Sequence, residues 1–423
     1  MSELDAMAPI SQSLKDFHVD FHKTVASKSE SNFVSSALSA QVVLAMAACG
    51  AQDLTYEEMH KSLRLPEDRS TIHEGFSHFI KAVNNVKDVE LKMANKIYLS
   101  QQYSHAVEDE FKKIVSEHYH SSSEMANFDD GKTSAQQINK WVQDQTNEKI
   151  KVLIKSNDLN SNTLMVLVNA LYFKGQWLHK FNEKDTTKKT FHLNKSSSVE
   201  APMMYIKKKF LYQRLPELNA QLVGLPYSNQ DLMLVVVVPD EIDGLKHIEA
   251  NLEKINVDVK HMAFSKREVE LYLPKFKIET TLDLIPHLQE LGMKMVFTEN
   301  AHLKKMADIA GLRISKVVQK AFIEVNEEGT EAAAATAMVM ALCCMPPPAV
   351  ELLVDRPFVY KIMHKNQTLF SAVFMGLGCS LPEPPIQLLV NRPFYFILIH
   401  KNTRLFSGRI INPTISDSHQ QNE

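Results

Sequence analysis

The sequence predicts an α+β fold, because helical and strand periodicities occupy separate stretches of the chain. A first helix, with Ser11 or Ser13 as its cap, is indicated by apolar residues at helical spacing: Leu14, Phe17, Phe21 and Val25. Leu271–Glu279 alternates between apolar and polar residues, which is typical of a half-buried strand. Leu164–Trp177 and Met233–Asp240 are longer apolar runs, as expected for strands buried on both faces.

The bulk composition excludes several classes of protein. The chain has 423 residues, of which 44% are apolar and 23% charged, with a net charge of −3. We therefore expect no nucleic-acid partner and no anionic membrane surface. No run reaches the roughly 18 apolar residues that span a bilayer. The acidic start MSELDAMAPI is unlike a secretion signal, so we expect a cytoplasmic or nucleocytoplasmic protein, or an extracellular one if this start is incomplete.

The residues that usually carry enzyme chemistry do not form a recognisable motif. The four cysteines, at positions 49, 343, 344 and 379, show neither metal-ligand spacing nor a disulfide framework, which fits a reducing compartment. The sequence contains no nucleophile elbow, no phosphate-binding loop, no dinucleotide fingerprint and no zinc-protease helix motif. We therefore expect a protein that is not an enzyme and that holds no cofactor and no metal.

Further elements follow along the chain. Asn32–Leu63 contains a helix that ends near Gly50, and Thr55 with Glu58 marks the start of the next helix. Met93–Ser100 alternates and is rich in strand formers, so it predicts a strand. One face of a later helix carries three neighbouring apolar residues: Ile138, Trp141 and Val142.

The stretch Glu327–Ala341 admits two structures. Its four consecutive alanines favour a helix or an Ala-rich linker. The strand alternation of the preceding residues runs directly into it and stops at Gly329. If that alternation continues, every second residue from Thr330 to Met340 is small or uncharged, and Glu331 falls on the other face. A strand of this pattern can be buried in a sheet without desolvating a charge.

Leu312–Ala337 resembles the strand and proximal hinge of an inhibitory serpin, a class of suicide inhibitors of proteases, and the resemblance extends over nearly the whole chain. It implies a single domain, 1–423, with the serpin fold: three β-sheets, about eight to nine helices and an exposed reactive-centre loop. It also implies a hinge made of Glu327, Glu328, Gly329, Thr330, Glu331, Ala332, Ala333, Ala334 and Ala335.

The resemblance assigns two further sets of residues. One is a sheet-opening cluster, which comprises Ser36, Ser39, Asn169 and Gln319. The family often has a histidine where this chain has Gln319. Counting by family register from Glu327 (327 + 16 = 343) puts the reactive bond between Cys343 and Cys344. A second candidate bond is Cys379–Ser380. The family usually has proline where this chain has Ala37.

The C-terminal cassette occurs twice. Residues 343–371, the first copy, match residues 379–407, the second copy, at a constant offset of 36 (379 − 343). A serpin core has room for only one copy. We expect the second copy in the core, because it ends with the family's Gly408–Pro413 pattern, and residues 345–380 as an extruded loop. In the alternative, the first copy occupies the core and residues 377–423 form a tail. Two alternative terminal exons joined in one transcript, a product of alternative splicing, would explain the repeat.

The resemblance implies a function. The chain would inhibit a serine endopeptidase as a suicide substrate, forming a covalent acyl complex with its target protease, and it would act as a monomer. Leu342, Cys343 and Met345 are uncharged, which favours chymotrypsin-like or elastase-like targets; cysteine proteases remain open. Three lysines at 207–209 are too few to predict glycosaminoglycan binding. The alternatives are a non-inhibitory serpin that acts as chaperone, carrier or storage protein, and a non-functional product of joined exons.

Overall fold

The computed structural model describes residues 3–86, 89–229, 231–255, 266–330, 358–364, 367–374, 386–400 and 403–414. The chain divides into two compact units. One unit comprises Met1–Ala332 and Gln387–Glu423, and the other comprises Ala333–Ile386. All helices and all but two of the strands in the described residues belong to the first unit, which holds the predicted hinge up to Ala332 and the predicted cluster.

The described residues form eight α-helices. They are α1 (Glu3–Ser27), α2 (Ala37–Cys49), α3 (Asp53–Ser62), α4 (Arg69–Asn84), α5 (Asp109–Tyr119), α6 (Gly131–Gln145), α7 (Leu245–Ala250) and α8 (Ile285–Glu290). Every residue of α2 is buried, and the Ser36 side chain caps it by accepting a hydrogen bond from the Ser39 amide. Helix α1 begins before Ser11 and Ser13, so the predicted cap was wrong.

A nine-stranded sheet contains most of the strands of the first unit. Its members are β1 (Phe33–Ser35), β5 (Thr187–Asn194), β6 (Ser197–Leu215), β7 (Ala220–Pro226), β8 (Leu232–Pro239), β9 (Lys266–Pro274), β15 (Ile386–Leu389), β16 (Phe394–His400) and β17 (Thr403–Ile410). The order is β1-β17-β16-β8-β7-β6-β9-β15, with β5 paired to β6. Strands β15 to β17 come from the second copy of the cassette and, at the end of β17, from the three residues that follow it, 408–410.

A six-stranded sheet positions the predicted hinge. It contains β2 (Val89–Ser100), β3 (Ser123–Ala126), β4 (Met165–Gln176), β10 (Phe276–Asp283), β11 (Lys316–Val325) and β12 (Gly329–Thr330), in the order β10-β11-β12-β4-β2-β3. One face of this sheet packs on α6 through a buried apolar cluster that includes Ile138 and Val142, with Trp141 packed against it. The other face lies on α2.

The described residues form three sheets, as the resemblance implies, and strand β6 gives the largest of them its extent. Its 19 residues pair with β5 and β9 along one part and with β7 along the other, so two groups of strands form one continuous sheet. The third sheet is a hairpin in the second unit, in which β13 (Phe358–His364) pairs with β14 (Gln367–Phe374). These two strands come from the first copy of the cassette and, at the end of β14, from the three residues that follow it, 372–374. From here on, each copy includes the three residues that complete its last strand.

The predicted strand Leu271–Glu279 is two strands. Strand β9 ends at Pro274 and β10 begins at Phe276, and the two belong to different sheets. Pro274 and Lys275 therefore mark a corner where the chain leaves one sheet for the other. The buried parity changes across this corner, from the odd-numbered Val269, Leu271 and Leu273 of β9 to the even-numbered Phe276 and Ile278 of β10. This change is the signal in the sequence that the prediction of a single strand overlooked.

Candidate functional site

The first residues of the predicted hinge lie between β4 and β11. Thr330 pairs with Val325 of β11, and Gly329 and Thr330 pair antiparallel with Gln176 and Gly175 of β4. Further along, β11 and β4 pair directly and in parallel, from Lys316↔Val166 to Phe322↔Tyr172. The six-stranded sheet is therefore closed along most of its length and parted at one end, where β12 enters.

Gly329 is required at this entrance for two reasons. Its φ of +147° is in the region that side chains disfavour. A Cβ at this position would also lie 2.7 Å from the Gln176 Cα and closer still to the Gly175 carbonyl oxygen. Only a residue without a side chain can place the hinge backbone this close to β4.

We expect Gly329→Val to expel the hinge from the sheet. Trp177 reports this, because its indole N–H donates to the Asn326 carbonyl at 2.9 Å and its amide donates to the Glu328 carbonyl at 2.9 Å. In a Trp141→Phe background, the buried Trp177 should show red-shifted fluorescence after the substitution. Gly311→Ala is the control, because Gly311 also has a positive φ (+72°) but has open space around it. Unchanged Trp177 emission in Gly329→Val would contradict the position of the hinge between β4 and β11.

The carboxylate of Glu327, at the start of the hinge, is bound by side chains from two other segments of the chain. Its side chain is buried, with 5% of its surface exposed. The Lys275 ammonium lies 2.8 Å from Oε2, and the Thr186 hydroxyl donates to Oε1 at 2.8 Å. Burial raises the pKa of Glu327, but the hydrogen bonds from Lys275 and Thr186 outweigh burial and hold the pKa below its usual value. The carboxylate is therefore ionised and fixes the start of the hinge.

Lys275→Met should destabilise the protein by about 1–3 kcal/mol at neutral pH, since it leaves a buried carboxylate with one partner fewer. Because the pKa of folded Glu327 is lowered, its contribution is present above the ordinary glutamate pKa and is lost as the pH falls through the folded value. The difference between the free energies of unfolding of variant and wild type should therefore shrink on acidification. Lys277→Met is the control, because its 3.8 Å pair with Glu324 is half-exposed. Equal losses of unfolding free energy in Lys275→Met and Lys277→Met would contradict the role of Lys275 in holding the Glu327 carboxylate.

The structure brings the four predicted cluster residues together. The Gln319 amide nitrogen donates to Asn169 Oδ1 at 2.7 Å and to the Ser36 carbonyl at 2.9 Å. The Ser36 amide donates back to Gln319 Oε1 at 3.0 Å, and the Asn169 amide nitrogen donates to the Ser39 hydroxyl at 2.5 Å. All four residues are buried. Glutamine thus joins β11, β4 and the start of α2 across the line where β4 and β11 meet.

Sequence reasoning missed a fifth member, Asn95 of β2. Its Oδ1 accepts a hydrogen bond from the Asn169 amide nitrogen and lies 3.4 Å from the Ser39 hydroxyl. The signal that could have found it is an asparagine inside the predicted strand Met93–Ser100, where asparagine is disfavoured unless its side chain has partners. With Asn95, the cluster extends over three neighbouring strands.

Some predicted residues lie outside the described part of the chain. These are Glu331, Ala332, Ala333, Ala334 and Ala335 of the hinge and the candidate bonds Cys343–Cys344 and Cys379–Ser380. Within the described ranges, no group of three or more His, Cys, Asp or Glu side chains could hold a metal ion. None of the helices described above is long and apolar enough to cross a membrane.

Comparisons with known proteins point to one family. A family model described as "Serpin (serine protease inhibitor)" matches residues 12–379. The chain is 34% identical to antichymotrypsin-2 of Bombyx mori over 84% of this chain and 94% of that protein. It is 37% identical to the leukocyte elastase inhibitor of Sus scrofa, over 82% and 92%. The crystal structure of Serpin48 from Tenebrio molitor superposes with a TM-score of 0.80 at 31% identity, covering 97% and 99%. The family match includes the first copy, whereas strands of the second copy lie in the nine-stranded sheet.

Proposed function

The chain belongs to the serpin family of serine protease inhibitors, and we propose that it traps a serine endopeptidase by inserting its cleaved reactive loop into the six-stranded sheet. The observation that carries the proposal is the pairing of Gly329 and Thr330 between β4 and β11. Relatives named as an antichymotrypsin and an elastase inhibitor support protease inhibition in general. The trapping mechanism and the class of target are our inference.

The register of β12 defines how far the loop can insert. Thr330 faces Gly175, so each further hinge residue would face the preceding residue of β4. Met340 would then oppose Met165, where β4 begins, and by the same count from Val325 the residue Val339 would oppose Lys316, where β11 begins. A strand from Thr330 to Met340 therefore matches the length of both neighbours. Insertion would replace the direct β4–β11 pairing by two ladders of backbone hydrogen bonds.

Register also explains the small residues of the hinge. Ala332 and Ala334 would oppose the buried Phe173 and Leu171, and side chains directly opposite each other share a face. On the other face, Ala333 would lie between Tyr172 and Phe322, whose rings are 6.2 Å apart. Larger side chains would have to displace these groups, so the alanines favour rapid insertion.

Thr336 is the hinge residue that would meet the cluster. If the register of β12 continues, Thr336 would lie opposite Asn169 on β4 and opposite Gln319 on β11, so insertion would break the 2.7 Å bond between these two amides. A threonine hydroxyl, which both donates and accepts, can then bond to both. Opening of the cluster and entry of Thr336 would be one event.

Thr336→Val should lower the yield of trapped protease about fivefold or more, because leaving buried amides without a partner costs about 1 kcal/mol or more. Thr336→Ser retains the hydroxyl and should behave like the wild type. The measurement is the ratio of covalent adduct to cleaved free inhibitor at a fixed protease concentration. Equal ratios for the valine and serine variants would remove Thr336 from the mechanism.

The two candidate reactive bonds differ in their consequences. Cys343 is three positions beyond the predicted end of the inserted strand, so an enzyme acylated there would be pulled against the end of the sheet. Cys379 is 39 positions beyond it (379 − 340), and a tether of that length would leave the enzyme undistorted. We therefore propose that cleavage at Cys343–Cys344 traps the protease and that cleavage at Cys379–Ser380 releases it.

The test uses the full-length protein with chymotrypsin, pancreatic elastase and trypsin. We expect an adduct that survives SDS with chymotrypsin or elastase, with a new amino terminus at Cys344, and no adduct with trypsin. Protease whose active-site serine has been blocked is the control and should give no adduct. Cleavage of the Cys343–Cys344 bond without formation of an adduct would favour a non-inhibitory serpin. Insoluble protein would favour a non-functional product. Either result would overturn the proposal.

A further inference from the structure

We propose that Ile397, Gly408 and Arg409 decide which copy of the repeated cassette completes the nine-stranded sheet, and that they exclude the first copy. The backbone alone does not discriminate. Strands β13 and β14 pair from Phe358↔Phe374 to His364↔Gln367, and β16 and β17 pair at the positions 36 residues later. Both hairpins also have their irregularity at the corresponding place. The choice must therefore come from side chains.

The first difference is a charge. Ile397 is completely buried in an apolar cluster with Val235, Leu245 and Ile399, and it pairs with Val235 of β8. The first copy has Lys361 at the equivalent position (397 − 36). Threading the first copy would therefore place an ammonium group among aliphatic side chains, where burial of an unpaired charge is strongly unfavourable.

The second difference is steric. Gly408 pairs with Val34 of β1, and a Cβ at Gly408 would meet the carbonyl oxygen of Phe33 and lie 2.7 Å from Cζ of Phe396. The first copy has Ala372 at this position (408 − 36). The nearest atom is the backbone carbonyl oxygen of Phe33. The steric clash can therefore be removed only by a shift of β1, and rotation of a side chain would not suffice.

The third difference is an ion pair. Arg409 donates from Nη1 to Glu249 Oε2 at 2.9 Å, and only 4% of the arginine and 6% of the glutamate surface are exposed. Arg409 also donates to the Ser31 carbonyl at 3.2 Å. The first copy has Val373 here, which would leave the buried Glu249 with His22, at 3.4 Å, as its remaining charged neighbour. Removal of one partner from a buried pair is strongly destabilising.

Hydrogen exchange on the full-length protein tests the proposal. In the wild type, the amides of β16 and β17 should exchange slowly, and those of 358–364 and 367–374 should exchange rapidly, because an isolated two-stranded hairpin is marginal in water. Lys361→Ile, Ala372→Gly and Val373→Arg together give the first copy the residues of the second and leave the second intact, so this variant retains a competent core. It should show two populations, one of which protects the first copy.

A second variant adds the reciprocal changes Ile397→Lys, Gly408→Ala and Arg409→Val, and it should protect the first copy in most molecules. The control variant carries Gln367→Thr and Thr403→Gln, which swap the residues beside the two turns. It should show the same hydrogen-exchange pattern as the wild type. The proposal is overturned if the triple variant exchanges like the wild type. It is also overturned if the second copy is the unprotected one in the wild type.

Discussion

Thr330→Arg is expected to convert the protein from an inhibitor into a substrate. Residue 330 pairs with Gly175 of β4, and a Cβ on Gly175 would contact Phe173 and Tyr227, so an arginine inserted opposite Gly175 would meet aromatic side chains. An arginine there cannot enter the sheet without losing its hydration, which costs several kcal/mol. Since each 1.4 kcal/mol is a factor of ten, the yield of covalent adduct should fall at least about a hundredfold. Cleavage at the reactive bond should continue.

Glu331→Gln is the matched control for this variant, because on insertion in the proposed register residue 331 would lie opposite Lys174, on the other face of the strand. This control should retain most of the adduct. The measurement is SDS gel densitometry of adduct and cleaved inhibitor against the protease identified above. A stable adduct with Thr330→Arg would mean that trapping does not depend on entry of the hinge into this sheet.

A cut between Cys343 and Cys344 is expected to raise the melting temperature by about 10 °C or more. Ten newly inserted residues, 331–340, would add on the order of ten ladder hydrogen bonds, each contributing about 0.5–1.5 kcal/mol net. Ordering those residues offsets part of the gain. The cut protein is prepared by limited digestion, with the cut position checked by mass spectrometry. Melting is then followed at one scan rate, because unfolding of a protein held in a stored state is under kinetic control.

The cut Thr330→Arg variant is the control for the melting experiment, because it carries the same nick and cannot insert the hinge. Its melting temperature should stay within about 2 °C of the intact variant. If cut and intact wild type melt at the same temperature, no stabilisation is stored in the closed sheet. The proposed mechanism would then fail even if the chain retains the family fold.

The pattern of apolar residues predicted the strands that are buried on both faces. Leu164–Trp177 and Met233–Asp240 coincide with β4 and β8 to within one residue at each end, because uninterrupted burial leaves an uninterrupted apolar run. The strand that precedes the hinge was found by its alternation and ends at Val325. Helix ends were less predictable: α3 begins at Asp53, ahead of the expected cap at Thr55. The Thr55 hydroxyl instead accepts a hydrogen bond from the amide of His302, a long-range contact that local sequence does not encode.

The family resemblance predicted the members of the cluster, and the residues alone did not. Ser36 and Ser39 are far from Asn169 and Gln319 in sequence, and each of the four is unremarkable in its own segment. Asn95 does stand out within its predicted strand, but nothing in that strand specifies which side chain will face it. The ion pair between Lys275 and Glu327 also depends on the corner between β9 and β10, which the prediction of one continuous strand overlooked.

The pairing of β1 with β17 joins residues near the two ends of the chain, Phe33 and Arg409, which are 376 positions apart (409 − 33). On the ribosome, β8 emerges before β16, so the edge of β8 that pairs with β16 has no neighbouring strand while residues 240–393 are translated. An exposed apolar edge is a site of aggregation for nascent polypeptides. The first copy emerges 36 residues ahead of the second, and its mismatched side chains keep that edge vacant for the later arrival.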